Sequence, residues 1–155
     1  MKTATITIYI EHNCPVCNYV QKHILENMIA RRDILSRKLR EEGMHPLPLI
    51  DLKIVDINGT LGGKDEQFFH WYSQRVGGRF TPVILINNKA FYLWGEDKPR
   101  TIEKKHLSKY DMLRAQLIEE LQTIYTTHEI KPFFEIQRIE QHIGEYVNAT
   151  VHPFK

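Results

Sequence analysis

A chain of 155 residues, 42% hydrophobic and 26% charged with a formal net charge of +2, suits one domain with a buried core. So small a charge argues against a nucleic-acid partner or an anionic membrane surface. No apolar run nears the ~20 residues of a membrane span, and the N-terminal stretch lacks the apolar segment and cleavage site of a secretory signal.

Residues 3–10 alternate β-branched residues with others and predict a first strand. Glu11-His12-Asn13 form a short loop onto Cys14-Pro15-Val16-Cys17. These are the only two cysteines in the chain. With none left for a structural framework, they point to a reducing, cytoplasmic setting and to a pair kept for chemistry. A helix N-terminus favours an anion, so a thiolate forms there more readily than in water. Pro15 fits the first helical position, where its missing N–H leaves no orphan.

A first helix is expected from about Pro15 to Glu42, with Val16, Val20, Ile24 and Met28 every four residues and Leu35 and Leu39 continuing the spacing. At 1.5 Å per residue it would run about 42 Å, roughly twice what a small sheet needs. Its outer half therefore either projects or packs on something else. Gly43 stops it. Leu49 to Ile57 predict a second strand, and Asn58 to Gly63 a flexible loop. Asp65 to Val76 predict a second helix, ended by Gly77-Gly78. After Arg79-Phe80-Thr81-Pro82, the run Val83-Ile84-Leu85-Ile86 is a buried central strand. Asn87-Asn88 turns it into a hairpin with residues 90–94. Ser108 and Asp111 predict a capping box for a third helix, to about Tyr125. Pro132 opens a last amphipathic segment with Ile136, Ile139, Ile143, Tyr146 and Val147 on one face.

This order, together with Cys14-Pro15-Val16-Cys17 after the first strand and Thr81-Pro82 before the third, resembles the thioredoxin-fold proteins, nearest to glutaredoxins and small thioredoxins. The resemblance covers roughly residues 3–125. It implies an α/β fold with a central mixed four-stranded sheet flanked by helices; the elongated first helix and an appended C-terminal helix are additions outside the family pattern. Residues 1–127 would form the domain. Residues 128–155 would form a helical extension packed on it, on a partner, or on a second copy of the chain. The resemblance also implies a cis Thr81-Pro82 bond facing the cysteines. The chain departs from the family at Ile8, where thioredoxins carry a buried Asp, and at Glu11, where glutaredoxins commonly carry a Lys that helps bind glutathione. Gly95-Glu96-Asp97 only echoes the glutaredoxin acidic signature, which predicts a poor glutathione site.

The expected activity is thiol–disulfide exchange, with Cys14 as nucleophile and Cys17 as resolving thiol. Pro15, Val16, Arg79, Thr81 and Pro82 are the expected substrate contacts. The expected partners are a protein disulfide and an electron donor, either a reductase or glutathione. No organic cofactor or metal is required. Two other readings stand beside this one. One is a non-catalytic or redox-sensing module that presents its long helices to a partner. The other is a metal site using His12, Cys14 and Cys17, for which a further ligand is wanted.

Overall fold

The computed structural model describes residues 3–124 and 134–140. Its centre is β1, Thr3–Ile10, which pairs in parallel with β2, Leu49–Asp56. On its other side β1 pairs antiparallel with β3, Val83–Ile86. β3 turns into β4, Lys89–Tyr92, through Asn87 and Asn88, whose φ values of 49° and 66° lie in the left-handed region that such two-residue turns require. The sheet order is β2-β1-β3-β4-β5, where β5 is Glu135–Arg138, parallel to β4.

Each sheet face buries its own core. Ile6 and Ile8 of β1 and Ile84 and Ile86 of β3 point to one face. There they meet Val16, Val20, Ile24 and Met28 of the first helix, and Leu113, Leu117 and Leu121 of the last. Tyr9 and Val83, one residue out of phase, point to the other face and meet Phe68, Phe69 and Tyr72 of α3, Gly63–Val76. This is the period of two expected of strands buried on both sides. The Tyr9 hydroxyl donates to Asp65 at 2.9 Å, tying the first turn of α3 to the central strand.

The first helix is not uniformly α. It runs as α1, Pro15–Tyr19, then a π-helical segment, Val20–Glu26, then α2, Asn27–Glu41. The spacing of four supplies a reason. On an α-helix each four-residue step overshoots a full turn by about 40°. A wider segment absorbs that drift and keeps Val20, Ile24 and Met28 against the sheet. Beyond Met28 the rod leaves the core: Ile34 and Leu35 are 52% and 50% exposed. Ser36 ties it to the following loop, accepting from the Leu47 N–H at 3.0 Å.

Two sequence expectations are corrected. Residues 135–138 of the expected C-terminal helix form strand β5, so the described sheet has five strands instead of four. The outer side of β4 would otherwise be an open edge, and β5 fills it. The Glu135 N–H donates to the Asn88 carbonyl, and the Ile139 N–H to that of Tyr92. Ile136 and Ile139, spaced as on a helix, are divided between the two cores by the strand. Most of the predicted extension, including Ile143, Tyr146 and Val147, lies outside the described residues. The second correction is the third helix, which starts earlier than the Ser108 cap. A 3₁₀ turn, Lys104–His106, leads directly into α4, Leu107–Ile124, and the capping box belongs to Glu103 and His106. Ser108 lies inside the helix.

No helix among the described residues is long and apolar enough to cross a membrane.

Candidate functional site

The site forms where β1 hands the chain to α1. Asn13 takes a left-handed φ of 56°, which its short polar side chain tolerates, and reverses the chain onto Cys14. Cys14 is the N-cap of α1, with extended φ and ψ, and Pro15 is the first helical residue. The Cys14 Sγ accepts the Cys17 N–H at 3.1 Å, doing with sulfur what a cap oxygen does for a helix start. The two cysteines form a disulfide across a Cα–Cα distance of 5.2 Å. Cys17 is 1% exposed and Cys14 9%, so an incoming group reaches Cys14 first.

The Thr81-Pro82 bond is cis. Thr81 is buried, and its hydroxyl donates to Glu11 Oε1 at 2.6 Å. Lys98, from the loop after β4, completes the cluster. Its ammonium donates to Glu11 Oε1 at 2.9 Å and to Thr81 Oγ1 at 3.2 Å, and stands 3.5 Å from Cys14 Sγ. Burial pushes the Glu11 carboxyl up. The Thr81 hydroxyl, the Lys98 ammonium and the Arg79 charge outweigh it and hold Glu11 below the usual carboxylate range.

Of the expected substrate contacts, Pro15 is exposed next to Cys14, the Thr81 hydroxyl shares the Lys98 ammonium with the Cys14 sulfur, and Pro82 is buried. Two expected contacts stand elsewhere. The Val16 side chain is fully buried among the core residues. The Arg79 guanidinium lies over the Phe69 ring at 5.0 Å and donates to the Ile57 carbonyl at 3.3 Å, bracing the loop after β2. His12 turns away from the cysteines, its Nε2 2.7 Å from Asp56 Oδ2. Among the described residues no group of three or more His, Cys, Asp or Glu side chains is arranged to hold a metal ion.

Nothing in the local sequence marks Lys98 as a neighbour of Cys14. Its contact with Glu11 spans 87 positions, beyond any local pattern. The signal available was an acid three residues before Cys14 and a base, Lys98, three residues after Gly95.

No family model matches the chain, and no curated protein or solved structure is significantly similar to it. The protein has a CxxC disulfide at a helix start in an α/β fold with a mixed sheet.

Proposed function

We propose that the protein is a thioredoxin-like thiol–disulfide oxidoreductase that reduces protein disulfides. One observation carries the reading: the Cys14 sulfur caps a helix, receives a backbone N–H, lies beside a cation and is bonded to the sulfur of the more deeply buried Cys17. The arrangement suits an anionic, attacking Cys14 and a shielded Cys17. The β2-β1-β3-β4 order and the cis Thr81-Pro82 bond, with the Thr81 hydroxyl joined to Cys14 through Lys98, support the thioredoxin-like assignment.

In the reduced protein the Cys14 thiolate attacks one sulfur of a substrate disulfide. A Cys14–substrate S–S bond forms, the substrate's S–S bond breaks, and its other sulfur leaves as a thiolate that takes up a proton. Cys17 then loses its proton and attacks Cys14 Sγ. The mixed disulfide breaks, and the second substrate thiol is released. The substrate has gained two electrons and two protons, and Cys14–Cys17 has been oxidised to the observed disulfide. A donor must return two electrons for the next cycle. The backbone at Thr81-Pro82 would align the substrate chain beside Cys14 by short strand addition. With Glu11 already on Lys98, the ammonium is a poor seat for the carboxylates of glutathione, which favours a flavoprotein reductase as donor. The reading places the protein in a reducing compartment such as the cytoplasm.

The test is insulin reduction by the full chain, coupled either to a thioredoxin reductase or to glutathione with its reductase. Turnover with the first donor and little with the second is expected. No turnover with either, or with dithiothreitol in excess over the uncatalysed rate, sinks the redox reading.

The rival reading, a partner-binding module, has its own observation. Leu35 of α2 lines a groove with Met28, Leu47, Ile118 and Leu121, and the neighbouring Ile34 is exposed. A module of this kind binds its partner and turns over nothing.

A further inference from the structure

The same cluster gives the cysteine pair a built-in charge setting, an inference that rests on Cys14 ionising and deepens the redox reading. Lys98 is the donor common to three acceptors: Glu11, Thr81 and the sulfur of Cys14. Glu11 accepts from both Thr81 and Lys98 through the same oxygen, Oε1. The carboxylate and the sulfur therefore share one cation, and their separation cannot exceed the sum of their two distances to it. A full charge at such range, partly shielded from water, acts much more strongly than in bulk solvent.

Reduction with dithiothreitol breaks the Cys14–Cys17 bond. Two electrons enter the pair, dithiothreitol closes to its cyclic disulfide, and one proton remains on the pair when Cys14 is the anion. The new charge on Cys14 then faces the Lys98 ammonium and the Cys17 N–H as attractive partners, and Glu11 as a repulsive one. The Arg79 charge also acts on Glu11. His12 is occupied by Asp56, and Asp97, next to Lys98, is held by Arg138 at 2.9 Å and by the Gly95 N–H. No other charged contact to this sulfur is found among the described residues.

We infer that Lys98 and Glu11 are an opposed pair that sets how readily Cys14 ionises, Lys98 favouring the thiolate and Glu11 restraining it by repulsion and by competing for the same ammonium. The restraint has a chemical use. A thiolate made too stable attacks poorly and leaves easily, and exchange is fastest when the thiol titrates near ambient pH. Helix start and lysine together would carry Cys14 past that optimum, and the carboxylate brings it back.

The opposition is what makes the inference testable, because a merely structural role moves both variants the same way or neither. The full chain is prepared with Cys17→Ser, so that one thiol titrates, and the thiolate absorbance is followed against pH. Lys98→Gln should raise the midpoint by about one pH unit, as loss of a close counter-charge does. Lys98→Arg should stay within a few tenths of the parent. Glu11→Gln should lower the midpoint. Both side chains are partly solvent-exposed, and circular dichroism confirms that each variant has folded. An unchanged midpoint in Lys98→Gln, or a shift in the same direction for Lys98→Gln and Glu11→Gln, overturns the inference. The titration does not depend on turnover. A wild type inactive on insulin defeats the redox reading while leaving the charge setting measurable. An active enzyme with an unmoved midpoint defeats only the charge setting.

Discussion

The two ends of the long first helix carry the same sequence pattern and meet different fates. From Val16 to Met28 the apolar residues are buried, and the N-terminal end holds the cysteine pair. From Asn27 to Glu41 the pattern continues through Leu35 and Leu39, yet Met28 is the only buried residue in that stretch. Periodicity reports which side of a helix is apolar. It does not report how far the sheet beneath it extends. Five strands cover only the inner part of the rod, so identical spacing buries residues at one end and leaves them half wet at the other.

Substitutions at the two ends should separate accordingly. The largest effect belongs to the inner tip. Cys14→Ser should abolish insulin reduction, whereas Cys17→Ser should accumulate a mixed disulfide with substrate, visible on a non-reducing gel. If Cys14→Ser is the variant that traps substrate, the two cysteines have exchanged roles. Next is the inner core. Ile24→Ala removes a fully buried side chain between helix and sheet and should cost about 2–5 kcal/mol in chemical denaturation. A loss below ~1 kcal/mol would mean that this part of the rod is not packed as described.

Strand β5 gives an intermediate case. Truncation after Thr127 removes Ile136 and Ile139 from the two cores and uncovers the outer side of β4. The melting temperature should fall and binding of a hydrophobic dye should rise. An unchanged melt and unchanged dye signal would show that the strand adds nothing.

A smaller effect concerns acid. The Glu11 carboxyl titrates below its ordinary value of 4.5, so its contribution to stability is complete above that value and fades as the pH falls through the lowered one. Wild type and Glu11→Gln should therefore differ most in melting temperature near neutrality and converge in acid. A gap that widens below pH ~4 would reverse the sign of the shift. Last comes the outer rod. Leu35→Ala should change stability by no more than about 0.5 kcal/mol and leave turnover alone. A much larger loss would show that the groove beside it is filled in solution.

How much of this could be read in the sequence depends on how local its cause was. The β1 alternation, the Cys14-to-Cys17 helix start and the Asn87-Asn88 turn each rest on neighbours within a few residues, and each stands where it was expected. The π-segment was not foreseen. The spacing of four marks the apolar side of the helix, whereas the change of helix type at Val20–Glu26 depends on the sheet beneath it. Strand β5 was missed because Ile136 and Ile139 fit a helix when taken alone, and only the open side of β4 decides otherwise. Lys98 was missed for a similar reason. Its partners come from β1's exit and β3's entrance, and nothing within a few residues of it announces them.

The position of β5 also bears on how the protein behaves when concentrated. An unpaired strand edge is a template on which another chain can add, the first step of fibril growth. With β4 covered, the described sheet ends in the four-residue β5 on one side and the longer β2 on the other, and β2 offers the longer edge. Asp51 and Lys53 stand exposed along it, and Lys53 is paired with Asp65 at 2.8 Å. Charges of both signs on an edge discourage a neutral, apolar strand from docking there. β4 carries only Lys89 as such a guard, in the sequence Lys89-Ala90-Phe91-Tyr92. A proteolytic nick that released β5 would thus leave a molecule with its cysteine pair in place and an apolar strand open to its neighbours, so loss of solubility should come before loss of chemistry.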